Sequence, residues 1–103
     1  MVGLRIEISR FVGEGQPNVV ECMFIDGHGK KHSIIEKAPV VSSEDLNAYS
    51  SYPRAGVVAC HVLQRKKHGD SEIVEIDTEI PWHIESIAGQ RCFDVLPDQL
   101  IEF

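Results

Sequence analysis

Several features that would place this chain in a specialised class are missing from its sequence. No apolar run approaches the roughly 20 residues that a membrane-spanning helix needs. The opening residues, MVGLRIEISR, alternate apolar and polar side chains, whereas a signal peptide has a basic stretch followed by an apolar block. A GxSxG motif and a glycine-rich loop ahead of a helix are also absent. These absences predict a cytoplasmic protein that makes no contact with a membrane.

Cysteine is scarce, and its spacing indicates no pairing. The three cysteines, Cys22, Cys60 and Cys92, are far apart, and no CxxC pair is present. This excludes a disulfide-dense scaffold and fits a reducing compartment, where such cysteines are usually small buried hydrophobic residues. The alternation of the surrounding residues places Cys22 and Cys60 inside the fold and Cys92 outside.

The chain also has fewer basic than acidic residues. Ten lysines and arginines stand against 16 aspartates and glutamates, which leaves a net charge of −6. Because such a chain repels phosphate backbones on average, nucleic acid is a disfavoured partner. The one basic cluster, Arg65–Lys67, lies beside a turn and has no aromatic residues between its charges, so we expect a solvated hairpin end there.

What is present is an ordinary globular composition with a strong strand pattern. The chain has 103 residues, of which 43% are hydrophobic and 25% charged. Dividing so short a chain would leave halves too small to bury a core, which predicts a single domain over residues 1–103. Apolar and polar residues alternate along much of the chain, and a period of two is typical of half-buried strands.

Turn residues divide this pattern into short segments at regular spacing. The strands expected from it are Leu4–Val12, Val19–Asp26, His32–Lys37, Val57–Lys66, Glu72–Thr78 and Arg91–Leu96, with Trp82–Ser86 and Ile101–Phe103 as shorter candidates. We also expect a bulge near Arg10 and Phe11, where the alternation breaks. Closing such a sheet removes its exposed edges.

The fold class predicted is therefore all-β: a small antiparallel, partly closed β-barrel of six or seven short strands. At most one short helix is expected, near residues 43–50. Ser42 or Ser43 can cap that helix, and Glu44 and Asp45 suit its first turn.

The register of one hairpin can be predicted from its side chains. A three-residue turn at 68–70 keeps the apolar residues on one face. It then pairs Val62 with Ile76, Lys66 with Glu72 and His61 with Asp77, and the last two pairs bring opposite charges together.

Histidine and cysteine are the residues that could carry metal or nucleophile chemistry. His28 and His32 stand four residues apart but span a hairpin, so they do not share a helix face. Cys60 and His61 are neighbours on a strand and point to opposite faces. Burial would also raise the pKa of a core thiol, which disfavours a nucleophile. We expect no metal site, no cofactor and no catalytic residue, and we interpret the histidines as solvated turn residues.

The least ordinary stretch is Ile76–Ser86, which reads IDTEIPWHIES. It holds the single tryptophan, Trp82, beside a proline and His83 and among three acidic residues that include Glu85. An aromatic side chain at a strand break, surrounded by charge, is a common anchor for a partner protein. The alternative is that Trp82 plugs one end of the barrel.

A second unusual stretch, Ser50–Gly56, contains Tyr52 and Arg54. These two residues would join Trp82 in one binding patch if both loops open at the same end of the barrel. The alternative interpretation is an ordered crossover loop.

The blocks YPRAGVVAC, at residues 52–60, and IDTEIPWHIES, at residues 76–86, resemble a group of small uncharacterised bacterial proteins. That group shares a tyrosine–proline entry to a long strand and a later aspartate–threonine, proline–tryptophan and glutamate–serine block. The similarity extends over most of the chain from about Val19, and the group has glycine where this chain has His83. The resemblance implies a bacterial origin and a stand-alone domain, and it implies no mechanism.

Three hypotheses about function follow. The first is a non-enzymatic protein-interaction module that binds another protein, or itself, through Trp82, His83, Glu85, Tyr52 and Arg54. An acidic domain of this kind suits an inhibitor or immunity-type partner of a basic protein, because complementary charge speeds encounter. The second is a small metal protein or enzyme that uses His61, His83 and a cysteine. The third is an oligonucleotide-binding barrel.

Overall fold

A curled antiparallel sheet, forming a partly closed barrel, makes up the protein in a computed structural model that describes residues 1–103. The strands and helices are β1 (Val2–Gly13), β2 (Val19–Ile25), β3 (Lys31–Lys37), α1 (Ala38–Val41), β4 (Arg54–His68), β5 (Ser71–Asp77), β6 (Cys92–Val95), a 3₁₀ turn (Pro97–Gln99) and β7 (Leu100–Glu102). The sheet order is β3-β2-β1-β4-β5-β6, and β7 pairs with the start of β1. The predicted all-β, barrel-like fold is confirmed.

The core lies inside the curl of the sheet. Alternation along β1 turns Leu4, Ile6 and Ile8 inward, and β2 contributes Cys22 and Phe24 to the same core. A cluster of 17 buried apolar residues fills this space. One continuous core of this kind holds the strands together, because each strand alone would leave one apolar face in water.

Bulges bend β1 and help the sheet to curl. The pairing of β1 with β2 shifts register between Ile8 and Arg10, and again between Phe11 and Gly13. The first shift confirms the bulge expected at Arg10 and Phe11. Each extra residue increases the local twist and turns the strand, which brings the two ends of the sheet toward each other.

β4 belongs to both halves of the barrel. Its residues Arg54–Cys60 pair with β1, and His61–His68 pair with β5. The predicted pairs His61–Asp77 and Val62–Ile76 are confirmed. The predicted pair Lys66–Glu72 is wrong, because a bulge between Val62 and Gln64 and a tighter turn place Lys66 opposite Ile73 and Lys67 opposite Glu72.

The short helix lies earlier in the chain than expected. It spans Ala38–Val41, whereas residues 43–50 form turns and irregular structure. Pro39 stands in the first helical turn, where its fixed φ is favourable. The serine and asparagine side chains that follow satisfy nearby backbone N–H groups instead: Ser42 accepts from Glu44, and Asn47 accepts from Tyr49. The helical segments, α1 and the 3₁₀ turn, have four and three residues and so fall far short of a membrane-spanning helix.

The segment Trp82–Ser86 forms a loop, so the short strand considered there is wrong. Its conformation is held by Thr78, whose hydroxyl donates to the carbonyl of Ile84 at 2.6 Å and approaches that of Arg91 at 3.2 Å. Beyond it, the N–H of Ile87 donates to the carbonyl of Ser33 on β3 at 2.8 Å. The loop between β5 and β6 thereby reaches the edge strand β3 and occupies part of the hydrogen-bonding edge that β3 would otherwise expose.

Candidate functional site

Trp82 does not plug the barrel. Its side chain is 57% exposed, whereas Ile84, two residues further on, is fully buried in the core. The hydrogen bonds around Thr78 turn the backbone so that Ile84 points inward and Trp82 outward. A large aromatic side chain is thus held at the surface by a well-bonded loop, which makes it available for contact with another molecule.

Trp82 borders a groove of about 810 Å³ on the outer surface of the barrel, which we call the Trp82 groove. It is lined by Arg5, Ile6, Pro39–Glu44, Ala55–Val57, Ala59, Trp82, Ile101 and Phe103. Most of these side chains are hydrophobic. The groove therefore combines the outward faces of β1, β4 and β7, which only the sheet topology brings together.

Small residues on β1 and β4 leave space for the Trp82 groove. Ala59 is buried yet stands outside the core cluster, on the face of β4 that is turned away from the core. Gly3 lies opposite Ala59 on β1, and a Cβ atom there would come within 2.7 Å of the Phe103 ring and 2.4 Å of Val57. Glycine at position 3 therefore lets the Phe103 ring lie against the sheet, where Phe103 remains 64% exposed.

Residues 39–44, at and after α1, form a further part of the groove lining. Glu44 lines the groove there and forms an ion pair with Arg54 of β4. This ion pair connects residues 39–44 to β4. The next residue of β4, Ala55, also lines the groove. A second, more polar depression of about 640 Å³ borders the same segment and Gly15–Asn18.

The five residues predicted for a binding patch are distributed over several places. Trp82 lines the groove. Arg54 does not line it but forms an ion pair with the groove residue Glu44. Tyr52 packs against the core and donates its hydroxyl to the carbonyl of Asn47 at 2.8 Å. His83 and Glu85 are exposed residues outside the groove.

His83 adopts a backbone conformation that favours glycine. Its φ is +56°, the only positive value at a non-glycine residue. Its Nδ1 atom lies 2.9 Å from Glu79, which also accepts from Arg91 at 3.2 Å. The hydrogen bond from His83, opposed in part by desolvation and assisted by Arg91, lowers the pKa of Glu79.

The sequence interpretation missed the buried pair of His32 and Asp26. The expectation of a solvated turn histidine is wrong for His32, whose Nε2 donates to Asp26 Oδ2 at 2.7 Å with both side chains at most 9% exposed. Its ring stacks on Phe24 at 5.1 Å and meets the edge of Phe93 at 4.8 Å. The signal was available, because the hairpin register sets His32 directly opposite the inward-facing Phe24.

The surroundings of Asp26 favour the ionised form of its carboxyl group. Burial raises the pKa of its carboxyl group, but hydrogen bonds from His32 and from the backbone N–H groups of Lys30 and His28 outweigh burial. The net effect is a pKa below the ordinary value for aspartate. The pair therefore stabilises the β2–β3 turn, and its burial gives it no access to a substrate.

A second cluster joins the same turn to the far end of the sheet. Asp94 on β6 accepts from His28 Nε2 at 2.9 Å and from Lys66 at 3.1 Å, and the His28 ring lies 5.1 Å from that of His68. The N–H of Gly27 also donates to the carbonyl of Asp94 at 2.7 Å. The hydrogen bond from His28, opposed by some burial and assisted by Lys66, lowers the pKa of Asp94.

The cysteines take the positions that alternation predicted: Cys22 and Cys60 are buried, and Cys92 is exposed. Burial raises the pKa of Cys22 to about 12, with Glu36 and Glu21 adding to the effect, and burial raises that of Cys60 to about 11. Thiols of this kind do not act as nucleophiles near neutral pH. No group of three or more histidine, cysteine, aspartate or glutamate side chains is arranged to hold a metal ion.

Comparison with known proteins gave no match to a family model, to a curated protein or to a solved structure. The resemblance carried by residues 52–60 and 76–86 therefore stays a prediction. The Trp82 groove is the feature on which a functional argument can be built.

Proposed function

We propose that the protein is a non-enzymatic interaction module that binds a segment of a partner protein in the Trp82 groove. The observation that carries this proposal is the exposure of two large aromatic residues, Trp82 and Phe103, that line the same largely apolar groove. Tryptophan is strongly enriched among the residues that dominate binding energy at protein interfaces.

The shape of the groove favours a protein segment over a small molecule. Its volume falls within the range of ligand pockets, which is about 300–1,000 Å³. Small-molecule pockets, however, enclose most of their ligand, whereas Trp82 and Phe103 stay more than half exposed. A partner that covers both side chains must extend beyond the groove.

The residues of the groove also favour binding over catalysis. Its ionisable side chains are Arg5 and Glu44, and Glu44 already pairs with Arg54. No histidine or cysteine lines it. General acid–base or nucleophilic chemistry needs such a group within reach of the substrate. The alternative of an enzyme that uses His61, His83 and a cysteine has no support from this arrangement.

Recognition in the groove would depend on side chains. β1 and β4 are hydrogen-bonded to each other across Val2–Ile8 and Arg54–Cys60. An incoming segment cannot add as a strand between them, because that mode needs an exposed sheet edge. The partner would instead pack one or two large apolar side chains against the groove residues Trp82 and Phe103.

The overall charge adds a preference for partners with positive charge. A net charge of −6 attracts a basic protein over long distance and speeds its encounter. This agrees with an inhibitor or immunity-type role toward a basic protein. We place this role in the cytoplasm, where the three free thiols would remain reduced.

A peptide-display selection against the purified protein tests the proposal. Selected peptides should contain aromatic or large aliphatic residues, and Trp82→Ala should weaken their binding by at least about 30-fold, the effect of losing about 2 kcal/mol at an interface anchor. Tyr49→Ala is the matched control, since Tyr49 is 97% exposed and lies outside the groove. Equal binding by the two variants would refute the proposal.

A further inference from the structure

Arg5 is a cation without a partner inside the Trp82 groove. It lies opposite Val57 in the β1–β4 register and therefore on the same outer face as that apolar residue. None of the ion pairs or side-chain hydrogen bonds of the protein involves its guanidinium group. This distinguishes Arg5 from Arg54, whose guanidinium is held by Glu44.

From this arrangement we infer that the partner segment presents an aspartate or glutamate side chain next to its apolar anchor, and that this carboxylate binds Arg5. The inference rests on the proposed function. It adds the chemical class of the segment that the groove selects.

Desolvation supplies the physical reason. A segment that covers the groove removes water from Arg5, and a buried charge is costly unless an opposite charge and hydrogen bonds replace the water. The guanidinium group offers a planar fork of donors that matches a carboxylate. The two acidic side chains that could neutralise Arg5 already have partners. Glu44, which lines the same groove, binds Arg54, and Glu7, two residues after Arg5 on β1, accepts a hydrogen bond from Ser9.

The position of Arg5 in the groove favours an acidic side chain over a chain terminus. On one side of the Arg5–Val57 pair stand Gly3 and Ala59, toward Phe103, and on the other side stand Glu7 and Ala55. The groove thus continues past Arg5 in both directions along β1. A segment that follows it would pass over Arg5 and would meet it with a side chain.

This local preference is compatible with the acidic charge of the whole protein. The net charge of −6 acts over long distance on the total charge of the partner. Arg5 acts only at contact, because salt screens exposed charges beyond about 10 Å. A basic partner with one carboxylate in its docking segment satisfies both.

The test is a double-mutant cycle on peptides from the selection described above. A selected acidic peptide and its amide analogue, with Asp→Asn or Glu→Gln, are titrated against the wild-type protein and the Arg5→Gln variant by calorimetry. We expect the amide change to weaken binding to the wild type by about tenfold and to have no effect on Arg5→Gln. Arg10→Gln serves as the matched control and should behave like the wild type, because Arg10 lies on the same strand, pairs with Glu21 and stands outside the groove.

The outcomes separate this inference from the proposed function. If selected peptides depend on Trp82 but lack acidic residues, or lose the same affinity on both proteins, the carboxylate inference is overturned and the proposed function stands. If no peptide depends on Trp82, both are overturned. Arg5-dependent self-association, or Arg5-dependent retention of a single-stranded oligonucleotide, would also overturn the inference by identifying another occupant. Urea unfolding of each variant verifies that it is folded.

Discussion

Asp94 accepts a hydrogen bond from the ring of His28, although 66 residues separate them in the chain. The contact joins the β2–β3 turn to β6 and so connects the two ends of the curled sheet. Gly27 makes the approach possible, because a Cβ atom at this position would lie 3.2 Å from the carbonyl oxygen of Asp94 and 2.8 Å from Ile73. The closure of the barrel thus depends on charged groups as well as on the apolar core.

Stability should fall in acid because of Asp26 and Asp94. Both carboxyl groups have pKa values below the ordinary one in the folded protein. Their contribution is therefore fully present above the unfolded pKa of about 3.9 and is lost as the pH falls toward the lower folded value. Urea unfolding at a series of pH values should show a constant midpoint near neutrality and a decline below about pH 4 to 5.

The double variant Asp26→Asn/Asp94→Asn is the control for this pH dependence. It should be less stable at pH 7 and should show a smaller decline in acid. An unchanged acid decline in the double variant would contradict the assignment to these two carboxyl groups.

Removal of the buried carboxylate alone should be costly. Asp26→Ala leaves His32 without its partner among Phe24 and Phe93, and breaking a buried pair in this way costs about 3 kcal/mol of unfolding free energy. Asp45→Ala, at an exposed carboxylate that makes no ion pair, should change it by less than about 0.5 kcal/mol. Chemical denaturation measures both, and a similar small loss for the two variants would contradict the structural role of the pair.

The backbone at His83 makes a specific prediction about glycine. His83→Gly and His83→Ala both remove the hydrogen bond to Glu79, but only alanine retains the unfavourable left-handed conformation. The glycine variant should therefore be more stable than the alanine variant by about 1 kcal/mol. Thermal or urea unfolding of the two proteins gives this difference directly, and greater stability of the alanine variant would exclude it.

The thiols should differ sharply in reactivity. In the folded protein a disulfide reagent such as DTNB should modify only Cys92, since Cys22 and Cys60 are buried with pKa values raised to about 12 and about 11. Burial and the nearby Asp77 and Glu75 also raise the pKa of Cys92, so its reaction should accelerate as the pH rises. Three thiols should react after denaturation. Modification of more than one thiol in the folded protein would contradict this assignment.

The predictions from the sequence succeeded where the structure depends on near neighbours. The bulge near Arg10 and the pairing of Val62 with Ile76 both followed from alternation and turn residues. The pairing of Lys66 with Glu72 failed because the bulge at Leu63 shifts the register by one residue. The bulge adds one residue to β4, and the turn is one residue shorter than predicted. Because the two changes compensate each other, the side-chain pattern does not reveal them.

The candidate site was predicted in part. Trp82 was identified by its neighbours Pro81 and His83, and it does border the groove. Phe103 and Arg5 were not identified, because neither stands out in its local sequence. They come together with Trp82 only because β1 lies between β4 and β7.

Alternation in the sequence by itself determined which side chains enter the core from the first half of β1, from β2 and from much of β4, including Cys22 and Cys60, because a strand exposes successive residues to opposite faces. The tertiary structure decided the rest: the burial of His32 with Asp26, the closure through Asp94 and the grouping of Arg5, Trp82 and Phe103. Each of these depends on which strands become neighbours and in which register, and that choice is made by packing the whole core at once.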